Sequence, residues 1–386
     1  MVDASGGQCP TRVELELPGR LPEFQFVGLG DPAEAARICG ALTPLVAELV
    51  GVEPASETSP ESDRPAVGYR LMLGHLRLVI FTSELREAVF HWQRELGHPE
   101  GLTDSDEGVA LGKSFVWGDG TPGSTFAVVL FHLDIGRGLL DSRPGARALV
   151  AHEFAHVHLG LHLLGRVSPA PHARTSCLDW PGLRRQMAVI CFDESFAEHV
   201  GAAYIDDEGA AAACDLLAKF AAGTTARVRE RVARYRHDCD LVTLWQSTVA
   251  EVAQFTNQLG RVVGLHFGRD LPDGLLLGLQ SATAELVQPV LDMQAACERL
   301  IALTPAEVNN EAFAAAESAI EAIFVTYGVV PTWEAEGLRV DVPWRPGERE
   351  RAERELSELR REPTGGLGSL VEFARAFARL AGPPRD

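Results

Sequence analysis

The sequence predicts an α+β fold, a strand-and-helix lobe followed by a mostly helical one. Three observations predict it. Strand-like apolar segments fall in the first half of the chain, as in VELEL at 13–17 and FAVVLFHLD at 126–134. From residue 183 onward, apolar residues recur at helical spacing with few breakers. Between the two lies an apolar helical stretch at 146–165 that carries two histidines and a glutamate.

Taken in order, VELEL alternates and reads as a strand, and FQFVGLG at 24–30 as a second. Asp31 then caps a helix with Pro32 at its first position. An acidic, Ser/Pro-rich connection at 53–66 closes an N-terminal lobe, 1–68. Residues 69–81 read as strand with a hairpin turn at Gly74–His75, and Thr82 caps a helix at 83–96 that Gly97 stops. Residues 98–124 read as loop, 126–134 as strand, and the stretch before 146 as a Gly/Arg/Pro-rich turn. Helices at 146–165 and 183–205 complete a core at 69–205. A helical lobe at 206–345 follows, with helices at 210–222 and 225–258, a break near Asp238–Asp240, a glycine-broken piece at 260–278, then helices at 281–302 and 305–327. A charged helical tail spans 346–386.

Composition limits the function classes. The formal net charge of −19 opposes contact with nucleic-acid backbone or anionic lipid, so neither is expected as a partner. The longest apolar runs fall far short of a membrane span, and MVDASGGQCP lacks the basic-then-apolar order of a secretory signal. None of the seven cysteines has CxxC spacing, and a chain this long folds without disulfides. Reduced thiols and a cytoplasmic location are the expectation.

The chemistry concentrates in AHEFAH at 151–156. Residues four apart share a helix face, so His152 and His156 can point two imidazoles at one ion. Glu153 sits about 100° round the helix and can reach a water beside that ion. A buried helix with two histidines and a glutamate needs partners or a metal. Zinc suits two imidazoles and a carboxylate, with the glutamate as water-activating base.

This segment resembles the zincin class of metallopeptidases, over about residues 69–205. In that class the helix follows an edge strand to which a peptide can add by β-augmentation; the resemblance gives that task to 126–134. It implies hydrolysis of a peptide or protein substrate, Zn2+ as cofactor and a third ligand from a downstream helix. Among glutamate-type members, a Glu is the ligand and an acidic residue four positions later holds a ligand histidine. CFDESFAEHVGAAY at 191–204 matches with Glu194 as ligand and Glu198 as its companion. Small Ala197 and Gly201 would let that helix approach.

Two alternatives stay open for the third ligand. Glu198 could take the position itself. His162 lies ten residues after His152, the interval of three-histidine zincins, but Leu159 stands where they need glycine. For the developing oxyanion, Tyr204, His199, Tyr235 and His237 are candidates, with His237 named as the catalytic one. Two other functions compete with peptide hydrolysis: a non-catalytic binding or regulatory protein of the same shape, and a zinc hydrolase of a non-peptide amide.

Overall fold

The structure is a computed structural model, and it describes residues 11–13, 22–51, 71–97, 104–105, 108–118, 125–164, 166–168, 175–269, 284–303, 307–344, 347, 349–350 and 354. Its strands in the first half are β1 (Thr11–Val13), β2 (Glu23–Val27), β3 (Leu76–Thr82), β4 (Asp104–Ser105), β5 (Gly108–Val109), β6 (Gly112–Trp117) and β7 (Phe126–His132). Five form one sheet in the order β1-β2-β3-β7-β6. β2, β3 and β7 run parallel, while β1 and β6 are antiparallel edges. β4 and β5 pair separately.

Side-chain alternation explains how the sheet is covered. Val79 and Phe81 of β3, with Ala127, Val129 and Phe131 of β7, enter the main core. Ile80, Val128 and Leu130 point the other way, into a smaller cluster with Leu85 and Val89. Those two belong to helix α2 (Leu85–Leu96), which ends at Gly97 with φ 67°. On the main face lies α1 (Pro32–Val50), where the Asp31 side chain accepts from the Ala33 N–H.

Three further helices build the site. α3 (Leu133–Leu140) follows β7 directly, and α4 (Pro144–Leu163) carries the histidines. α5 (Trp180–Gly201) packs on α4 with Ala197 fully buried. A Cβ on Gly201 would stand 3.1 Å from the Ala148 carbonyl oxygen, so the small residue permits the approach. α6 (Asp207–Asp238) and α7 (Leu241–Arg269) form an antiparallel pair. α8 (Val287–Ala302), α9 (Ala314–Thr326) and the hairpin β8 (Val330–Glu334) and β9 (Gly337–Asp341) close the described fold. One apolar cluster runs from Phe24 to Val329. Among the described residues, no helix is long and apolar enough to cross a membrane.

The fold is therefore mixed α/β and mostly helical, with five corrections to the sequence reading. First, residues 71–73 are not strand and no hairpin forms at Gly74–His75; β3 begins at Leu76 and pairs with β2 and β7. Second, the expected loop at 98–124 contains β6, whose Lys113 and Ser114 interrupt the apolar pattern. Third, 126–134 is not an edge: β7 lies between β3 and β6, and its apolar residues at both parities fit a strand covered on two faces. Its helical continuation α3 replaces the expected turn. Fourth, Gly223 does not divide α6, while the break expected near Asp238–Asp240 occurs at Cys239, φ 57°. Fifth, Gly260 and Gly264 do not break α7, for a packing reason given below. Residues 14–17, 53–66 and the tail beyond 354 lie outside the described residues.

Candidate metal centre

α4 continues past His162 to Leu163, so His152 and His156 sit one turn apart on a regular helix. Their Nε2 atoms are 3.0 Å apart. Glu194, from the middle of α5, places Oε2 at 3.6 Å from the His152 Nε2 and 3.9 Å from the His156 Nε2. Ligands about 2.0–2.1 Å from one tetrahedral ion would be separated by roughly 3.3 Å. The three donors fit that separation closely, and this His152–His156–Glu194 group can hold a metal ion.

The outer nitrogen of each ring faces a carboxylate. His152 Nδ1 lies 2.9 Å from Glu198 Oε2, and His156 Nδ1 lies 3.0 Å from Asp193 Oδ2. A carboxylate so placed can orient the ring and leave Nε2 to face the cluster. Burial opposes charge on His156, but Asp193, Glu194 and Glu153 outweigh it and lift its pKa to about 9. Burial likewise opposes charge on Glu198, yet His152 and Arg261 hold its carboxyl down near about 2. The carboxylates around the two imidazoles thus favour positive charge in this pocket.

Glu153 is 6% exposed and close enough to influence the charge of both His156 and Arg261. Its side chain fills space left by Gly112, the first residue of β6: a Cβ there would meet the Glu153 Cγ at 2.9 Å. Strand β6 and Glu153 are thus in contact.

α7 supplies two more groups. Asn257 donates from Nδ2 to Glu194 Oε1 at 2.8 Å. Arg261 Nε stands 3.6 Å from Glu198 Oε2, with its side chain 41% exposed. Gly260 and Gly264 allow α7 to reach this depth. A Cβ on Gly260 would lie 2.3 Å from the Cys191 carbonyl oxygen, and one on Gly264 would lie 2.0 Å from that of Ser195. The glycines are contact points between helix backbones, not breaks.

The structure thus brings together His152, His156, Glu194, Glu153 and Glu198. His162 turns to His158 instead, with ring centroids 4.5 Å apart, while His158 Nδ1 accepts the Met72 N–H at 2.8 Å. Glu198 faces the far nitrogen of His152 and so stands outside the three-donor group. His237 is not brought to the site. It is exposed in the last turn of α6, beside the turn into α7, whereas Asn257 lies about 24 Å along α7 from Leu241. Tyr235 shares the end of α6; Tyr204 sits under the Arg147 guanidinium at 5.0 Å, and the His199 ring packs on Phe267 at 4.8 Å.

Sequence reasoning missed Asp193, Asn257, Arg261 and Gly112. A signal existed for the α7 pair: Asn257, Gly260, Arg261 and Gly264 follow the i, i+3, i+4, i+7 pattern of one helix face. Small residues on that stripe mark a close helix contact, and polar ones beside them mark what the contact delivers. No family profile, curated protein or solved structure matches this chain.

Proposed function

We propose that the protein is a zinc-dependent peptidase of zincin type. The observation that carries this reading is the convergence of His152, His156 and Glu194, with each imidazole held from behind by a carboxylate and Glu153 alongside. Two imidazoles and one carboxylate are the donor set of a hydrolytic zinc site. Zinc, when bound there, supplies the Lewis acidity that makes water acidic near neutral pH.

The chain's own groups do the rest. Glu153 takes a proton from the attacking water and delivers it to the leaving nitrogen as the C–N bond breaks. Arg261, partly exposed beside three carboxylates, donates to the carbonyl oxygen as negative charge develops there. It replaces His237 in that role. Among the described residues β6 is the sheet's edge, and it touches Glu153 through Gly112, so β6 rather than β7 is the strand to which an extended peptide could add. Strand order, edge polarity and the two-helix donor set all support the zincin reading.

Metal analysis of the purified protein, followed by mass spectrometry of a mixed peptide pool, tests it. Stoichiometric zinc and specific cleavage are expected, with Glu153→Gln retaining zinc but losing turnover. Full cleavage by Glu153→Gln, or a native protein that binds no metal, would overturn the mechanism.

A further inference from the structure

The two oxygens of Glu194 have different surroundings. Oε2 faces both imidazole Nε2 atoms, at 3.6 and 3.9 Å. Oε1 accepts the 2.8 Å hydrogen bond from Asn257. The amide must present its nitrogen here, because a carboxylate oxygen only accepts. Gln258 Nε2, at 3.5 Å from Asn257 Oδ1, matches that orientation on the opposite side.

Asn257 owes its position to the close contact of α7 with α5. Gly260, nearly one turn further along, lies so near α5 that a Cβ would meet both the Cys191 carbonyl oxygen and, at 3.0 Å, the Glu194 Cβ. The backbone of α7 is thereby set against the very turn of α5 that carries Glu194. From there the Asn257 donor reaches the Oε1 of Glu194.

We propose that Asn257 is a positioning residue that makes Glu194 a one-oxygen ligand. By occupying Oε1 it prevents the carboxylate from closing on the ion with both oxygens. That keeps a coordination position open for a substrate oxygen or water. This rests on the metal-centre reading above and adds to it a control of coordination number. A bidentate carboxylate would fill the position that hydrolysis needs.

The test uses the full chain with zinc and, separately, with Co2+ as a coloured substitute. Asn257→Leu keeps the volume and removes the donor. Asn257→Asp keeps the shape and sets a second carboxylate against Glu194. Gln254→Ala, an exposed position on the same helix, is the control. Zinc affinity is read by chelator competition and coordination by the cobalt visible spectrum, since four-coordinate cobalt absorbs more strongly than five- or six-coordinate cobalt. Both Asn257 variants are expected to lose about 10–100-fold in zinc affinity. The Leu variant also shows a weaker cobalt band, while Gln254→Ala matches the native protein in both readouts. An unchanged cobalt band in Asn257→Leu overturns the proposal, whatever its affinity. If Asn257→Asp does not fold, Asn257→Leu decides alone. A native protein that binds neither metal removes the metal centre itself, a result distinct from a native site that binds normally and ignores Asn257.

Discussion

Glu198 Oε2 lies 2.9 Å from the His152 Nδ1, on the side of the ring opposite the Nε2 that faces Glu194. A carboxylate so placed leaves Nε2 as the nitrogen able to face a metal. Arg261, 3.6 Å away, keeps that carboxylate company. On the proposed zinc reading, Glu198→Ala is expected to weaken metal binding by about 10–100-fold without removing any of the three donors. Glu198→Gln, which can still accept through its amide oxygen, loses less. Chelator competition at fixed pH measures both. Equal affinity in all three proteins would remove Glu198 from the site.

Gly112 supports a prediction about activity at unchanged metal content. A Cβ at this position would press on Glu153 Cγ at 2.9 Å. On the proposed peptidase reading, Gly112→Ala should displace Glu153 by a fraction of an ångström or more and lower kcat by about 10–100-fold. On the same reading, metal content and KM for a peptide substrate stay close to native. A matched loss of zinc would show instead that β6 supports the ligands.

Packing between α5 and α7 depends on Gly264, where a Cβ would stand 2.0 Å from the Ser195 carbonyl oxygen. Backbone cannot yield as a flexible side chain can, so Gly264→Ala should cost about 1–3 kcal/mol or more. Gly145 provides the contrast, since nothing lies within 4 Å of a Cβ built there. Gly145→Ala should stay within about 0.5 kcal/mol of native. Urea unfolding of the two variants distinguishes a tight helix contact from a general intolerance of alanine.

Acid sensitivity should arise in part from His199. Burial pushes its pKa down to about 4, against about 6.5 in the unfolded chain. Between those values the unfolded state binds the extra proton. The contribution to stability is therefore complete above pH 6.5 and falls as the pH drops towards 4. A loss on the order of 1–2 kcal/mol between pH 7 and pH 5 is expected from this group. His199→Gln should flatten that part of the profile in denaturant titrations. An identical slope in the variant would assign the acid sensitivity to other groups.

The sequence by itself determined the parts that depend on local periodicity. His152, Glu153 and His156 share a helix because HExxH lies in an unbroken apolar stretch, and Glu194 and Glu198 share another for the same reason. Asp31 before Pro32 and Gly97 after Leu96 placed helix ends through chemistry that acts within a few residues. Tertiary structure decided everything that depends on which elements meet. β7 is central because β6, read as loop, pairs along its outer side. The apolar run FAVVLFH already carried the sign of two-sided burial, but a strand's neighbours are set by pairing across the sheet. Asn257 and Arg261 reach the site only because glycines let α7 lie against α5, more than sixty residues away in the chain from Glu194 and Glu198. Helical spacing names the face that a residue occupies; long-range packing alone decides what that face touches.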